Sequence, residues 1–149
     1  EMAALAASAA NTPYRVDVAD NRFLAPASMT EALQQAVAEQ GGNPLPLPEL
    51  LRMVNISLAE GYARAIAQME AITGRHDTVI HIVGGSSGNE TLNQMTADAT
   101  GRVVLAGPSE GTALGNLMVQ FIHSGDFADL AEARAAIRRS FEIKEYQPE

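Results

Sequence analysis

Apolar residues recur at helical spacing over most of this chain and switch to strand spacing in a few short places. The longest periodic run is Leu47, Leu51, Val54, Leu58, Tyr62, Ile66, Met69 and Ile72, which steps by three and four between Pro48 and Gly74. Proline is tolerated in the first turn of a helix and glycine commonly ends one, so the spacing predicts a long helix with these residues as one inward stripe. A shorter helix is predicted from Ser28, with Glu31 three residues on as a capping box and Ala32, Leu33, Ala36 and Val37 on one face, up to Gly41 and Gly42. The Ala-rich start predicts a short helix stopped by Asn11, Thr12 and Pro13; residues 14–26 show no sustained period, and NPLPLP cannot be helical.

The second half of the chain alternates between the two spacings. Thr78 to Val83 reads as a strand, Thr91 to Thr100 as a helix closed by Gly101, and Arg102 to Leu105 as a second strand. Strand, helix, strand at that separation is a βαβ unit, whose strands are parallel neighbours. After the bend AGPSEG, Leu114, Leu117, Met118, Phe121 and Ile122 predict the buried face of a further helix. Asp129 and Glu132 open a last one, with Leu130, Ala133 and Ile137 inward, and the closing FEIKEYQPE reads as a strand or a tail. The fold class is therefore α/β and helix-rich. Two strands cannot cover so many helices and would leave open edges, so further strands of the same sheet are expected upstream of Glu1 and the chain is expected to be part of something longer.

Composition narrows the function classes. At 149 residues and 46% hydrophobic, the chain encloses one core, so residues 1–149 are treated as one domain. A net charge of -8, with Arg138 and Arg139 as the main basic cluster, argues against nucleic acid or an anionic membrane as partner. The absence of cysteine excludes disulfides, thiol nucleophiles and cysteine-based metal sites. A cytoplasmic location is the simplest reading, and a homo-oligomer is compatible with the sequence.

Candidate chemistry concentrates in VIHIVGGSSGNETLNQ. Ligands of open α/β sheets bind beyond the carboxyl ends of strands, where bends lead into helix N-termini. Gly84 and Gly85 place no side chain between the strand and whatever approaches it, and Asn89 offers a donor and an acceptor toward the same cleft. Ser87 with Glu90 reads as a second capping box, which occupies helix N–H groups and favours a ring or ribose at the glycines at least as much as a phosphate. A tight structural connection explains the same glycines equally well, and the motif is neither Walker A nor GxGxxG. Gly111 and Gly115 lie on one helical face and permit close approach of a neighbour or a ligand. His81 reads as a hydrogen-bonded core residue, while His76 and His123 read as surface residues. Asp77, Asp98 and Glu110 are the carboxylates to weigh as a general base, but Asp98 falls late in a helix, away from the bends, Glu110 is explained by the helix dipole, and none is given a catalytic role.

The block HIVGGSSGNETLNQMTADATGRVVLAGPSEGTALGNLMVQ, together with DNRFLAPASM, SLAEGY and SFEIKEYQP, resembles the FGGY carbohydrate kinases and within them most closely the rhamnulokinase branch. The resemblance implies the C-terminal domain of an actin-like ATPase (RNase H-like) fold. It also implies ATP as phosphoryl donor, Mg²⁺, and transfer of the γ-phosphoryl group to the 1-hydroxyl of L-rhamnulose, the ketose being bound mainly by an N-terminal domain. By matching position, Gly84, Gly85 and Asn89 border the adenine nucleotide, ATP or ADP. Ser86 stands where the family has a third glycine, and Gly88-Asn89 where it has Gln-Asn. The family's phosphate loop, sugar-binding domain and catalytic aspartate match nothing in these residues, so the chain alone is expected to be inactive. The rival readings are another FGGY kinase, of the xylulose or glycerol type, and a non-catalytic α/β binding or regulatory module.

Overall fold

The computed structural model describes residues 2–149. Among these residues six α-helices and three strands follow one another as α1 (Met2–Ser8), α2 (Met29–Glu39), α3 (Leu47–Thr73), β1 (Val79–Ile82), α4 (Glu90–Thr100), β2 (Val103–Ala106), α5 (Gly111–Ser124), α6 (Leu130–Ser140) and β3 (Lys144–Tyr146). Short 3₁₀ turns occupy Asn21–Phe23 and Gly85–Gly88. The strands form one sheet in the order β1-β2-β3. β1 and β2 are parallel, with Val79 opposite Val103 and Ile82 opposite Ala106, as the βαβ reading requires, and β3 adds antiparallel to β2. The tail FEIKEYQPE thus supplies the third strand.

Local chemistry sets most of the boundaries. The Ser28 hydroxyl accepts from Glu31 N at 3.3 Å, and Asp129 accepts from Glu132 N at 2.9 Å, so both caps form as their sequences predict. Gly74 and Gly101 end α3 and α4 in the left-handed conformation. Two centres of packing result. One joins Val16, Leu33, Ala36, Val37, Leu50 and Met53, between the irregular segment, α2 and the first half of α3. The other lies where α4 covers the sheet, with Leu92, Ala97, Val104 and Ala106 buried.

Three expectations about burial are corrected. First, α3 does not bury its predicted stripe: Leu47, Tyr62, Met69 and Ile72 are exposed, Ile72 at 85%. The buried residues are instead Leu50, Met53 and Ser57 on one side and Asn55 and Ala59 on the other. At about 100° per residue these two sets lie on nearly opposite faces, with the apolar stripe between them. Leu50 and Met53 join the first core and the Ser57 hydroxyl accepts from Val16 N at 3.0 Å, while Ala59 faces the cleft it shares with Met95 and Ala99 of α4. The first half of α3 is thus clamped from two sides, and its second half meets little among the described residues.

Second, α5 has no buried residue; Leu117 and Phe121 of its predicted inner face are 45% and 40% exposed. Third, α6 buries Ala133 completely but leaves Leu130 at 49% exposure. The apolar pattern on these helices is real, but the described residues supply too little surface to cover it. His81 is also corrected: it is exposed on edge strand β1, and its side chain makes no hydrogen bond among the described residues.

Candidate functional site

The two bends at the carboxyl ends of β1 and β2 are tied into one structure. Gly84 N donates to Pro108 O at 3.1 Å and Gly107 N donates to Ile82 O at 2.8 Å, so each bend hydrogen-bonds to the other's strand or turn. Gly111 completes the join, since a Cβ there would lie 3.0 Å from Val83 Cβ. Its role is close helix-to-strand packing. Gly115, by contrast, faces open space, with nothing within 4 Å of a Cβ built on it.

The two glycines of the first bend differ in kind. Gly84 has φ 84° and ψ -167°, a corner of backbone space that is essentially glycine's alone. Gly85 has no left-handed φ, and a Cβ placed on it would meet nothing within 4 Å. The protein's own conformation therefore explains Gly84, whereas no described neighbour requires Gly85 to be bare. Among the described residues the N–H groups of Gly85 and Ser86 also meet no acceptor. Two unsatisfied donors beside an uncovered main chain are what a polar, flat ligand can use.

The turn itself is held by short local bonds. Ser87 N and Ser87 Oγ both donate to Gly84 O, at 3.0 and 2.7 Å, and Asn89 N donates to Ser86 O at 3.0 Å. The predicted Ser87–Glu90 capping box is thus overturned, because Ser87 turns back into the bend. Asn89 caps α4 instead, its Oδ1 accepting from Leu92 N at 3.2 Å. Asparagine is among the best capping residues, and its position one residue before Glu90 suits it to that role. The consequence for binding is direct: the Asn89 oxygen is committed to the helix, and its amide NH₂ is the group left for a ligand. Asn89 and Glu90 together also make this helix N-terminus a poor anion site, which leaves a ring or ribose as the better fit.

Of the four predicted site residues, Ser86 lines a cleft. That cleft, of about 390 Å³, runs between the second half of α3, β1 and α4, and includes Tyr62, Ile66, Ile82, Val83 and Asn93. Gly85 and Ser86 are exposed, and Gly84 and Asn89 half-buried, on the bend itself. Asn93, given no role by the sequence reading, is fully buried and donates from Nδ2 to Ser87 O at 2.9 Å. The signal for it was present: Asn93 lies four residues after Asn89, on the same helical face, beside buried Leu92 and Ala97.

Electrostatics around the bend come from its flanks. Glu90 pairs with Lys144 of β3, and the hydrogen bond the lysine donates to that carboxylate raises the lysine above its usual range. Gln94 Nε2 donates to Gln147 O at 2.7 Å, so the C-terminal segment braces α4 near the bend. The three carboxylates considered for proton transfer do not gather at the first bend: Asp98 accepts from Gln94 and from Glu149 N, Asp77 sits 3.7 Å from Arg75, and Glu110 stands at the start of α5. Among the described residues no group of three or more His, Asp or Glu comes together to hold a metal ion, and no helix is long and apolar enough to cross a membrane.

With this geometry in hand, comparison with known proteins is specific. The family model described as the FGGY family of carbohydrate kinases, C-terminal domain, matches residues 1–124. The chain is 42% identical over 132 residues to a rhamnulokinase of Halalkalibacterium halodurans, covering 88% of this chain and 28% of that protein. It is 41% identical over 150 residues to a rhamnulokinase of Enterococcus faecalis, covering 99% and 30% respectively. A third rhamnulokinase, from Bacillus subtilis, is 40% identical over 134 residues, or 89% of this chain and 28% of its own length. The chain thus spans less than a third of the length of these curated relatives.

Proposed function

Because the chain belongs to the FGGY family of carbohydrate kinases, as its C-terminal domain, we propose that it is the nucleotide-binding portion of a rhamnulokinase-like enzyme. The full-length reaction is transfer of the γ-phosphoryl group of ATP to the 1-hydroxyl of L-rhamnulose. Residues 1–149 form one domain of it, holding the adenosine end of the nucleotide at the first bend. Gly84 and Gly85 give the base or ribose bare main chain to rest on, the N–H groups of Gly85 and Ser86 donate to it, and the Asn89 NH₂ adds a polar contact. Ser86, in place of a third glycine, adds a hydroxyl at the same rim. The observation that carries this reading is Gly85: its main chain is bare, with nothing among the described residues within 4 Å of where a side chain would begin, which leaves room for a nucleoside to rest on it.

The residues present fit the nucleoside end and not the metal. Among the described residues no carboxylate cluster faces the bend and Glu90 is engaged by Lys144, so these residues do not fit a Mg²⁺ site. No residue here is assigned proton transfer. Phosphoryl transfer depends on positioning and charge stabilisation from both sides of a cleft, so this portion alone does not phosphorylate sugar. Replacing Gly85 by valine in the full-length enzyme tests the assignment. It is expected to raise KM for ATP far more than KM for the sugar, and equal effects on both would contradict it.

A further inference from the structure

Asn93 is an expensive residue for its position. It has no exposed surface, it lies between buried Leu92 and Thr96 on the inner face of α4, and its Oδ1 has no hydrogen-bond partner among the described residues. A buried amide left half-satisfied is costly, and leucine would fill similar space without that cost. Packing therefore does not account for it. The bond it does make leaves the helix altogether: Nδ2 reaches six residues back to Ser87 O at 2.9 Å.

That bond acts on a turn with little else to fix it. Among the described residues no atom lies within 4 Å of where a side chain of Gly85 or Gly88 would begin, so none of them braces the loop from its outer side. Its other ties are the bond from Gly84 N to Pro108 O where it starts and the internal bonds from Ser87 to Gly84 and from Asn89 to Ser86. Asn93 is the side chain that links the body of α4 to the turn. Thr96, equally buried one turn further on, spends its hydroxyl on Leu92 O within the helix and touches the bend with no bond.

We propose that Asn93 is the positioning residue of the nucleotide bend, its buried amide holding the Ser87 carbonyl so that the main chain of Gly85 and Ser86 is preformed for the nucleoside. The inference rests on the proposed nucleotide site and adds to it a residue that contacts the ligand only through the turn. A preformed turn binds without the ordering cost that a mobile one incurs.

The test uses the full-length enzyme with Asn93→Leu and, as control, Thr96→Val. Asn93→Leu is expected to raise KM for ATP about tenfold, the loss of one buried hydrogen bond, with kcat and KM for the sugar within about twofold. Amide hydrogen exchange at Ser87 and Asn89, whose N–H groups are bonded within the turn, should quicken by a similar factor while residues 94–100 stay protected. Thr96→Val should change neither. If leucine proves too large for the fold, Asn93→Ala, which only opens space, is expected to give the same pattern. Unchanged exchange at Ser87 and Asn89 would overturn the tether. Faster exchange there with unchanged KM for ATP would leave the tether standing and overturn its link to nucleotide. Equal rises in both KM values would assign Asn93 a merely structural role and overturn the proposal.

Discussion

The contrast between Gly84 and Gly85 gives a prediction in which two adjacent glycines behave oppositely. At Gly84 the backbone sits at φ 84° and ψ -167°, and a side chain there is strained by roughly 1–3 kcal/mol. No clash adds to this, because the nearest atom to a Cβ is Ser109 O at 3.9 Å, ordinary contact. For a domain of this size such a loss lowers Tm by roughly 2–10 °C. At Gly85 there is neither strain nor contact, so even Gly85→Val should change stability by no more than about 0.5 kcal/mol, like a typical surface substitution. Its effect belongs to binding: a branched side chain on the surface proposed for the nucleoside should raise KM for ATP tenfold or more, about 1.4 kcal/mol. Thermal unfolding of full-length Gly84→Ala and Gly85→Val, with steady-state kinetics in ATP and in sugar, measures both. The reasoning is refuted if Gly85→Val destabilises as much as Gly84→Ala, since Gly85 would then be glycine for the protein's own sake.

Two further predictions concern the frame that carries the bend. Partial burial works to raise the Glu70 carboxyl, but the hydrogen bond and charge of Arg102, at 2.6 Å, with help from His76, outweigh it and hold the group below its usual range. A depressed carboxylate contributes stability above its unfolded pKa and loses it as pH falls through the folded one. The Tm gap between wild type and Glu70→Gln should therefore narrow on acidification below about pH 4; a gap independent of pH would contradict this link between α3 and β2. Gly107 has φ 122°, and a Cβ there would lie 2.8 Å from Glu142 O. Gly107→Ala should therefore cost about 1–3 kcal/mol and speed exchange at the β2–β3 pairing, and unchanged protection of residues 144–146 would show that this contact yields.

What the sequence made legible were features with a local cause. Capping at Ser28 and Asp129, the left-handed glycines after α3 and α4, and the parallel pairing of β1 with β2 depend on residues close in the chain, and they stand where the pattern puts them. The faces of helices were less legible, because periodicity reports that a stripe is apolar and not what covers it. In α3 two packing partners bury opposite faces and leave the most regular stripe between them. In α5 the apolar face is genuine, yet the described residues do not cover it. At the site, the bend was visible as a run of glycines, but its cap was misassigned. Ser87 and Asn89 both suit a helix start, and the choice between them depends on the turn Gly85–Gly88, which pulls Ser87 back onto Gly84 O. Asn93 was hidden for a related reason: a polar residue on an apolar helical face is a signal only once burial is known.

A structure of the full-length kinase with bound ATP or ADP tests the central claim most directly. The account predicts adenosine atoms within about 4 Å of the Gly84 and Gly85 main chain, with a hydrogen bond from the Gly85 or Ser86 N–H. A nucleoside bound elsewhere, with Gly85 covered by another side chain of the same protein, would contradict it.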